Sequence, residues 1–397
     1  MGEAKLSTPF RRAIIVVCDG LGVGAAPDAA QFGDTHADTL GHVLSLGKAR
    51  IPNLASLGLG NLPPSCSTAR EASPRAAFGR LAEKSAGKDT ATGHWEMMGL
   101  VTETAFKLYP EGFPASLIDR FSKETGRDVL GNKAASGTEI LKELGEDHVR
   151  TGALIVYTSG DSVFQIAAHE RIVSPEELYR YCRIAYRLAC EEFGVCRVIA
   201  RPFIGESAES YKRTPNRRDF PVPPPGRTLL DHLSAASLPV FGVGKIEDIF
   251  TGRGVSEAVH TVSDDDGVNQ TIAALSAWPS GLIFTNLVDF DTLYGHRNDV
   301  QGYARNLERF DARVPQLLSA LHADDVLILT GDHGCDPSDE STDHTREFVP
   351  LIAAGPKVRA GALGDRASFS DIAATLAENF GLDAEVPGNS FLAAIRS

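Results

Sequence analysis

The sequence predicts an α/β protein, with a mainly parallel sheet sandwiched by helices and an α+β unit inserted into it. Three observations carry that reading. Ala13–Cys18 (AIIVVC), Leu282–Val288 (LIFTNLV) and Val326–Thr330 (VLILT) are short apolar runs rich in β-branched residues, the pattern of strands buried on both faces. Acids stand just after each run, at Asp19, at Asp289 and Asp291, and at Asp332, and open α/β sheets bind ligands outside the carboxyl ends of their strands. Between residues 102 and 225 the character of the chain changes, which divides it into a core of 1–101 and 226–397 and an inserted unit of 102–225. The 397 residues suffice for one large domain and a second unit.

Taken in order, residues 1–12 read as a loose basic arm. Ala13–Gly24 gives the first strand, Asp19 and a glycine-rich turn, but the glycines do not form G-x-G-x-x-G and no helical pattern follows at once, so a dinucleotide-binding turn is excluded. Gly33–Pro64 reads as loops around a short helix near Thr39–Gly47. Asp38 and His42 lie one turn apart there, as a solvated face. Lys84–Leu100 holds a dense polar cluster: Lys88, Asp89, Thr90, Thr92, Gly93, His94 and Glu96. A helix start of this kind offers N–H groups to an anion. On this segment alone Thr90 reads as an N-cap, although a hydroxyl beside a metal ion can also serve as a nucleophile.

In the inserted unit, Gly112–Gly145 alternates helical pieces with Gly and Asp turns, and Leu154–Tyr157 and Arg197–Ala200 read as strands. Ser174 caps a helix with Pro175 at its first position and a stripe of Leu178, Tyr181, Ile184, Ala185 and Leu188. Arg201, Lys212, Arg213, Arg217 and Arg218 form a basic loop, read either as a solvated face or as a clamp for phosphate, and Pro221–Pro225 is a stiff linker. A helix resumes at Gly226, Pro239–Val243 is a strand, and Asp264–Asp266 precede a helix over Gly267–Trp278. Tyr303, Leu307, Phe310, Val314, Leu317, Leu318 and Leu321 give a long helical stripe that Pro315 is expected to kink or split. Phe348–Ala354 reads as the final strand, and Ser370 opens a last helix that ends at Gly381.

Around this frame Asp291, His296, Asp332, His333 and His344 bring together hard acids and imidazoles. Carboxylate oxygen with imidazole nitrogen, and no thiolate, suits Mn²⁺ or Zn²⁺. There are enough groups for two ions, and paired divalent ions act on phosphoryl oxygens. The net charge of −13 disfavours a nucleic-acid or anionic-membrane surface, which needs a basic face. Six cysteines without a C-x-x-C pair read as reduced thiols of a cytoplasmic protein. No secretory signal opens the chain, Leu6 stands where a myristoylation site after Met1-Gly2 requires Ser or Thr, and no run approaches the ~20 apolar residues of a membrane span.

The stretches K-D-T-A-T-G-H-W-E-M-M-G-L, D-F-D-T-L-Y-G-H-R-N-D and T-G-D-H-G-C-D-P-S…T-D-H-T-R-E resemble the signatures of the prokaryotic phosphopentomutase family of the alkaline phosphatase superfamily. The likeness extends through Y-T-S-G-D-S-V-F-Q-I-A-A-H-E and R-V-I-A-R-P-F-I-G in the insertion. It implies an alkaline-phosphatase-like core with an inserted cap, and two Mn²⁺ ions, one held by Asp291, His296 and His344, the other by Asp19, Asp332 and His333. It implies that Thr90 is the phosphorylated nucleophile, with Thr92 a weaker candidate and Asp289 a brace for the strand end. It implies substrate contacts at Ser159, Asp161, Arg197, Arg213 and Lys245, sugar phosphates as ligands and a sugar bisphosphate as activator. The segment C-D-G-L-G-V-G departs from the D-S-x-G of many relatives but keeps Asp19.

The implied activity interconverts ribose 1-phosphate and ribose 5-phosphate, and the deoxyribose pair. The insertion would act as a lid that keeps water off the phosphothreonine. Two other classes stand beside it. One is a metal-dependent phosphohydrolase or a phosphoglycerate mutase of the same superfamily, which usually carry Ser at the nucleophile. The other is a non-catalytic binder of sugar phosphates with structural metals.

Overall fold

The computed structural model describes residues 9–64 and 70–396. The readings made on Met1, Gly2, Leu6 and Cys66 lie outside the described residues. The chain forms two compact units, one from Met1–Ala105 with Pro223–Ser397 and one from Phe106–Val222.

The larger unit begins with β1 (Arg12–Cys18), α1 (Thr39–Ser45), α2 (Pro52–Leu57), β2 (Ala77–Leu81) and α3 (Thr90–Met97). The smaller unit follows: α4 (Ala115–Thr125), β3 (Val129–Ala134), α5 (Glu139–Thr151), β4 (Leu154–Thr158), β5 (Val163–His169), α6 (Pro175–Ala185), β6 (Arg197–Ile204), β7 (Lys212–Arg213) and β8 (Arg218–Pro221). The larger unit then resumes with α7 (Leu229–Ala235), β9 (Val240–Val243), α8 (Ile246–Ile249), β10 (Glu257–Val259), α9 (Asp264–Ala277) and β11 (Gly281–Leu287). It ends with α10 (Val300–Ala320), β12 (Asp325–Thr330), β13 (Val349–Ala354), β14 (Gly361–Arg366), α11 (Ser370–Phe380) and α12 (Leu392–Ile395).

Its eight strands run in the order β10-β9-β11-β1-β12-β13-β2-β14. Only β13 is antiparallel to its neighbours, so this is the mainly parallel α/β sheet expected. The three apolar runs occupy its centre, and every residue of β1, β11 and β12 is buried. Ile14 and Val16 face a core shared with Val43, Leu54, Leu307 and Phe310 from α1, α2 and α10. Ile15 and Val17 are equally buried on the opposite face. Helices on both faces explain why these strands do not alternate apolar with polar. Each fully buried Ile or Val contributes about 1.5–3 kcal/mol over exposure.

Several expectations are corrected. Arg12 is no part of a loose arm: it is the first residue of β1, 1% exposed, and its Nε donates to Asp325 Oδ1 at 3.0 Å. Phe348–Ala354 is not the last strand, because β14 follows it at the sheet edge. Pro315 does not split its helix, and α10 runs unbroken for 21 residues. A proline leaves the carbonyl four residues back without its donor, and here Asn53 Nδ2 supplies one to Asp311 O at 3.1 Å.

In the smaller unit six strands pair around β5 and β6. One face packs on α4 and α6 through Leu117, Phe121, Leu178 and Tyr181, the other on α5 through Ile140 and Leu141. Ser174 caps α6, its hydroxyl accepting from Glu177 N at 3.2 Å. Four of the five basic residues in the stretch read as a loop stand in strands. Arg201 lies within β6, Lys212 and Arg213 form β7, and Arg218 starts β8. Among the described residues no helix is long and apolar enough to cross a membrane.

Candidate active site

Register brings the strand-end acids together. Cys18 of β1 is level with Leu287 of β11, and Val17 with Thr330 of β12, so all three parallel strands end at one edge of the sheet. Asp19 N–H donates to Leu287 O at 3.0 Å as the chain leaves β1. Gly20 follows with φ +76°, and a Cβ there would lie 2.9 Å from Cys335 Cβ. Only glycine suits both that backbone and that approach. Gly20 N–H in turn donates to Asp332 Oδ1 at 3.0 Å.

Two overlapping groups of side chains result. His333 Nε2 lies 3.3 Å from Asp19 Oδ1 and 3.4 Å from Asp332 Oδ2. Asp291 Oδ2 lies 3.3 Å from His296 Nε2, and Asp291 Oδ1 lies 3.5 Å from His344 Nε2. The His296 and His344 Nε2 atoms are 3.1 Å apart, and the His333 and His344 rings stack at 3.9 Å. Asp291, His333 and His344 also converge within ligand distance, so the groups meet at Asp291 and His333. Outer contacts fix the ring orientations. His333 Nδ1 bonds Gly334 O at 3.0 Å and His296 Nδ1 bonds Thr342 O at 2.6 Å. A ring that donates from Nδ1 presents the Nε2 lone pair inward, the form that binds metal.

These groups fit a divalent cation. Asp19, Asp291 and Asp332 are buried, and among the described residues none is ion-paired with Lys or Arg. Asp19 Oδ1, Asp291 Oδ1 and Asp332 Oδ2 are buried oxygens without a hydrogen-bond donor. Buried carboxylates are stable only when paired or coordinated. Burial pushes the Asp19 carboxyl upward, and the charges of Asp332 and Asp291 add to it. Burial also works against the charge of Asp291, but His296 and His344 outweigh it and hold that group well below the usual range. Asp332 is brought to about 2, as His333 and His94 overcome burial. His333 is held well above an ordinary imidazole against the effect of burial, by Asp332 and Asp19. The negative potential that retains those protons would equally retain a cation, and its binding would release them.

Thr90 stands beside this cluster, its hydroxyl 3.2 Å from His333 Nε2. It is the first residue of α3 and not its cap. Asp89 is the cap, and Asp89 Oδ1 accepts from Ala91 N and Thr92 N at 3.1 Å. Those two N–H groups are therefore committed to a side chain. Thr92 Oγ1 bonds Asp89 Oδ2 at 3.0 Å and belongs to the cap. Gly93 lets α3 press on the Asp332 loop, since a Cβ there would lie 2.1 Å from Asp332 O. His94 Nδ1 reaches Thr90 O at 2.9 Å and Asp332 Oδ2 at 3.2 Å. Lys88 Nζ joins Asp34 at 3.1 Å and Asp343 at 3.2 Å, which ties the segment before Thr90 to the loop bearing His344. Glu96 is structural: it accepts from Lys84 N at 2.9 Å and from Phe369 N at 3.0 Å, ahead of α11.

Asp289 exchanges backbone–carboxylate bonds with Asp264 at 2.9 and 3.0 Å. Asp38 and His42 are not a solvated pair. Asp38 caps α1, its N–H donates to Asp336 Oδ2 at 3.0 Å, and His42 Nδ1 meets the same oxygen at 2.6 Å. Lys245 follows β9 at the start of α8, and its charge acts on Asp19. The other expected substrate contacts lie in the smaller unit. Ser159 and Asp161 lie between β4 and β5, and Asp161 pairs with Arg197 at 3.1 Å. Arg213 is level with Phe203, six residues further along β6 than Arg197.

Sequence reasoning missed Asn286 and Cys335. Asn286 Nδ2 donates to Asp19 Oδ2 at 3.1 Å, and a lone amide inside an apolar strand was the available signal. Cys335 lies within ligand distance of Asp291 and His296. The fifth residue of G-D-H-G-C gave no such signal by spacing alone.

Comparison with known proteins agrees with this architecture. Residues 240–384 match the model of the metalloenzyme superfamily. The phosphopentomutase of Caldanaerobacter subterraneus is 54% identical over 384 residues, covering 96% of this chain and 98% of the relative. That of Acetivibrio thermocellus is 52% identical over 388 residues, covering 97% and 100%. A crystal structure of Leishmania mexicana phosphoglycerate mutase superposes with a TM-score of 0.50 at 15% identity, covering 97% of this chain and 98% of that one, a likeness of fold alone. More than half identical to a relative along almost the whole of both chains, this chain belongs to the phosphopentomutase family.

Proposed function

We propose that the chain is an isomerase that interconverts (deoxy)ribose 1-phosphate and (deoxy)ribose 5-phosphate through a phosphorylated Thr90 and a sugar bisphosphate. The observation that carries this is the Thr90 hydroxyl at 3.2 Å from His333 Nε2. It places a candidate nucleophile against a nest of buried carboxylates and imidazoles. Asp19, Asp332 and His333 would hold one Mn²⁺ ion, and Asp291, His296 and His344 a second. Such ions supply charge neutralisation for phosphoryl oxygens and acidify a nearby hydroxyl.

The residues of the chain do the remaining work. Asp89 fixes the first turn of α3, so the Thr90 Oγ is held in one place before substrate arrives. The phosphoryl group on Thr90 passes to the free hydroxyl of a sugar monophosphate. The Oγ–P bond breaks, a new O–P bond forms, and the hydroxyl proton is released. The bisphosphate then returns the phosphoryl of its other end to Thr90, with the departing sugar oxygen taking a proton. The net reaction moves one phosphoryl group between positions 1 and 5 and consumes nothing. A sugar bisphosphate primes Thr90 at the outset. Ser159, Asp161, Arg197, Arg213 and Lys245 are the proposed substrate contacts.

Intact-mass analysis of the Mn²⁺-loaded protein after exposure to a sugar bisphosphate tests this scheme, with fragmentation to locate the phosphate. One phosphate on Thr90 is the expected result. An unmodified chain that still interconverts the two monophosphates would remove the covalent scheme. Release of free phosphate without ribose 1-phosphate would mark a hydrolase.

A further inference from the structure

Two fully buried polar side chains, His94 and Asn286, stand between the strand-end acids and the helix start that carries Thr90. A carbonyl oxygen only accepts, so the bond of 2.9 Å between His94 Nδ1 and Thr90 O places a proton on Nδ1. The same nitrogen stands 3.2 Å from Asp332 Oδ2. On the other side of the ring, His94 Nε2 lies 3.5 Å from Asn286 Nδ2, which donates to Asp19 Oδ2 at 3.1 Å. A carboxylate also only accepts, which turns the nitrogen of the amide toward Asp19. Phe284 shares its face of β11 with Asn286, and its ring lies against His94 with centroids 5.6 Å apart.

These contacts decide which oxygen each acid presents. Asp19 gives Oδ2 to Asn286 and keeps Oδ1 without a donor, while Asp332 gives Oδ1 to Gly20 N and keeps Oδ2. The two oxygens left open are those that face His333 Nε2, at 3.3 and 3.4 Å. Asn286 Oδ1 is itself a buried oxygen without a donor among the described residues. Such an atom is a cost, and the contact with Asp19 is what offsets it. Outer partners that orient metal ligands are worth about 10–100-fold in metal affinity or activity. Through Thr90 O the same ring holds the residue that bears the candidate nucleophile, and group transfer is sensitive to displacements of about 1 Å.

We propose that His94 and Asn286 are positioning residues, a bridge that sets Asp19 and Asp332 around a shared divalent ion and holds Thr90 in register with it. The part that concerns Thr90 rests on the function proposed above; the part that concerns the ion does not.

The test is Mn²⁺ binding to the full chain without substrate, read from the electron paramagnetic resonance signal of free aqueous Mn²⁺, alongside mutase kinetics at saturating Mn²⁺. Asn286→Leu, close in size but without the donor, is expected to weaken one of two Mn²⁺ sites about 10–100-fold and to leave the other within about threefold. His94→Gln is expected to do the same and to lower kcat about 10–100-fold, with KM for ribose 5-phosphate within about twofold. His94→Asn, whose amide N–H can stand in the place of Nδ1–H, recovers most of kcat. Trp95→Phe removes a different buried bond of α3, the one to Ile249 O at 3.0 Å, and lowers the thermal midpoint alone. Parental Mn²⁺ affinity and kcat in folded Asn286→Leu and His94→Gln overturn the proposal, and so do equal losses in Trp95→Phe. If one of the two bridge variants fails to fold, the other decides. A parent that binds two Mn²⁺ ions without mutase activity, with one site still weakened in Asn286→Leu, instead sinks the functional reading and leaves the bridge standing.

Discussion

The Thr90 hydroxyl lies 3.2 Å from His333 Nε2, although 243 residues separate them in the chain. The contact joins the start of α3 to the end of β12, and Gly93 and Asp332 are packed at the same place. Thr90→Ala is expected to lower mutase turnover by at least about a thousandfold, on the order of 4 kcal/mol of barrier. Its thermal midpoint should stay within a degree or two of the parent, because Asp89 and not Thr90 caps the helix. Thr90→Ser should retain measurable turnover. A Thr90→Ala enzyme that turns over at the parental rate removes Thr90 from the reaction.

Metal removal should destabilise the larger unit. Asp19, Asp291 and Asp332 are buried without a Lys or Arg partner among the described residues. An ion that binds only the folded state adds about 2.7 kcal/mol at a hundred times its Kd. Calorimetric unfolding in chelator should therefore shift to lower temperature, and titrating Mn²⁺ back should restore it with a concentration-dependent midpoint. Superimposable traces with and without chelator would count against a metal centre.

A pH dependence follows from Glu347. Its carboxylate is buried and accepts from Gly24 N, Thr39 N, Thr39 Oγ1 and Thr345 Oγ1 at 2.7–3.1 Å. Burial raises it to about 7, although the hydrogen bonds from Thr345 and Thr39 resist the shift. The folded chain keeps this proton where the unfolded chain has lost it, so stability falls as pH rises from about 4.5 to 7. The contribution is fully present below the unfolded value and is lost through the folded one. Glu347→Gln cannot titrate. The free-energy gap between parent and variant, measured by urea unfolding, should shrink in the parent's disfavour by on the order of 3 kcal/mol between pH 4.5 and 7.5. A gap that is flat across that range refutes the assignment.

Asn53 and Pro315 should be coupled. Asn53 Nδ2 donates to Asp311 O at 3.1 Å and to Asp311 Oδ2 at 2.9 Å, filling the bond that Pro315 cannot make. Asn53→Ala alone should cost about 1–2 kcal/mol, since it strands a helix carbonyl. In a Pro315→Ala background the helix supplies its own donor to that carbonyl, and the same change should cost about 1 kcal/mol less. Strict additivity in urea unfolding would show that the carbonyl does not need Asn53.

The central strands were legible because burial on both faces writes itself as an uninterrupted apolar run, as in Ala13–Cys18. The edges were not. β3 and β14 consist mostly of exposed or half-buried residues, such as Gly131, Lys133, Gly361 and Asp365, so no apolar pattern marks them. Their backbone pairing alone makes them strands. The Arg and Lys residues of β7 and β8 misled for the same reason. Asp38 and His42 read as solvated because their partner, Asp336, lies 294 residues beyond His42.

By itself the sequence determined which segments enter the sheet and which acids follow them, because side-chain periodicity and burial are local properties of the chain. It also carried the long motifs that identify the family. Tertiary structure alone decided that Asp89 and not Thr90 caps α3, that His333 and Asp291 join the two acid–imidazole groups, and that Asn53 relieves Pro315. Each of those outcomes depends on which distant donor fills which acceptor, and that pairing exists only once strand register has brought remote parts of the chain within hydrogen-bond reach.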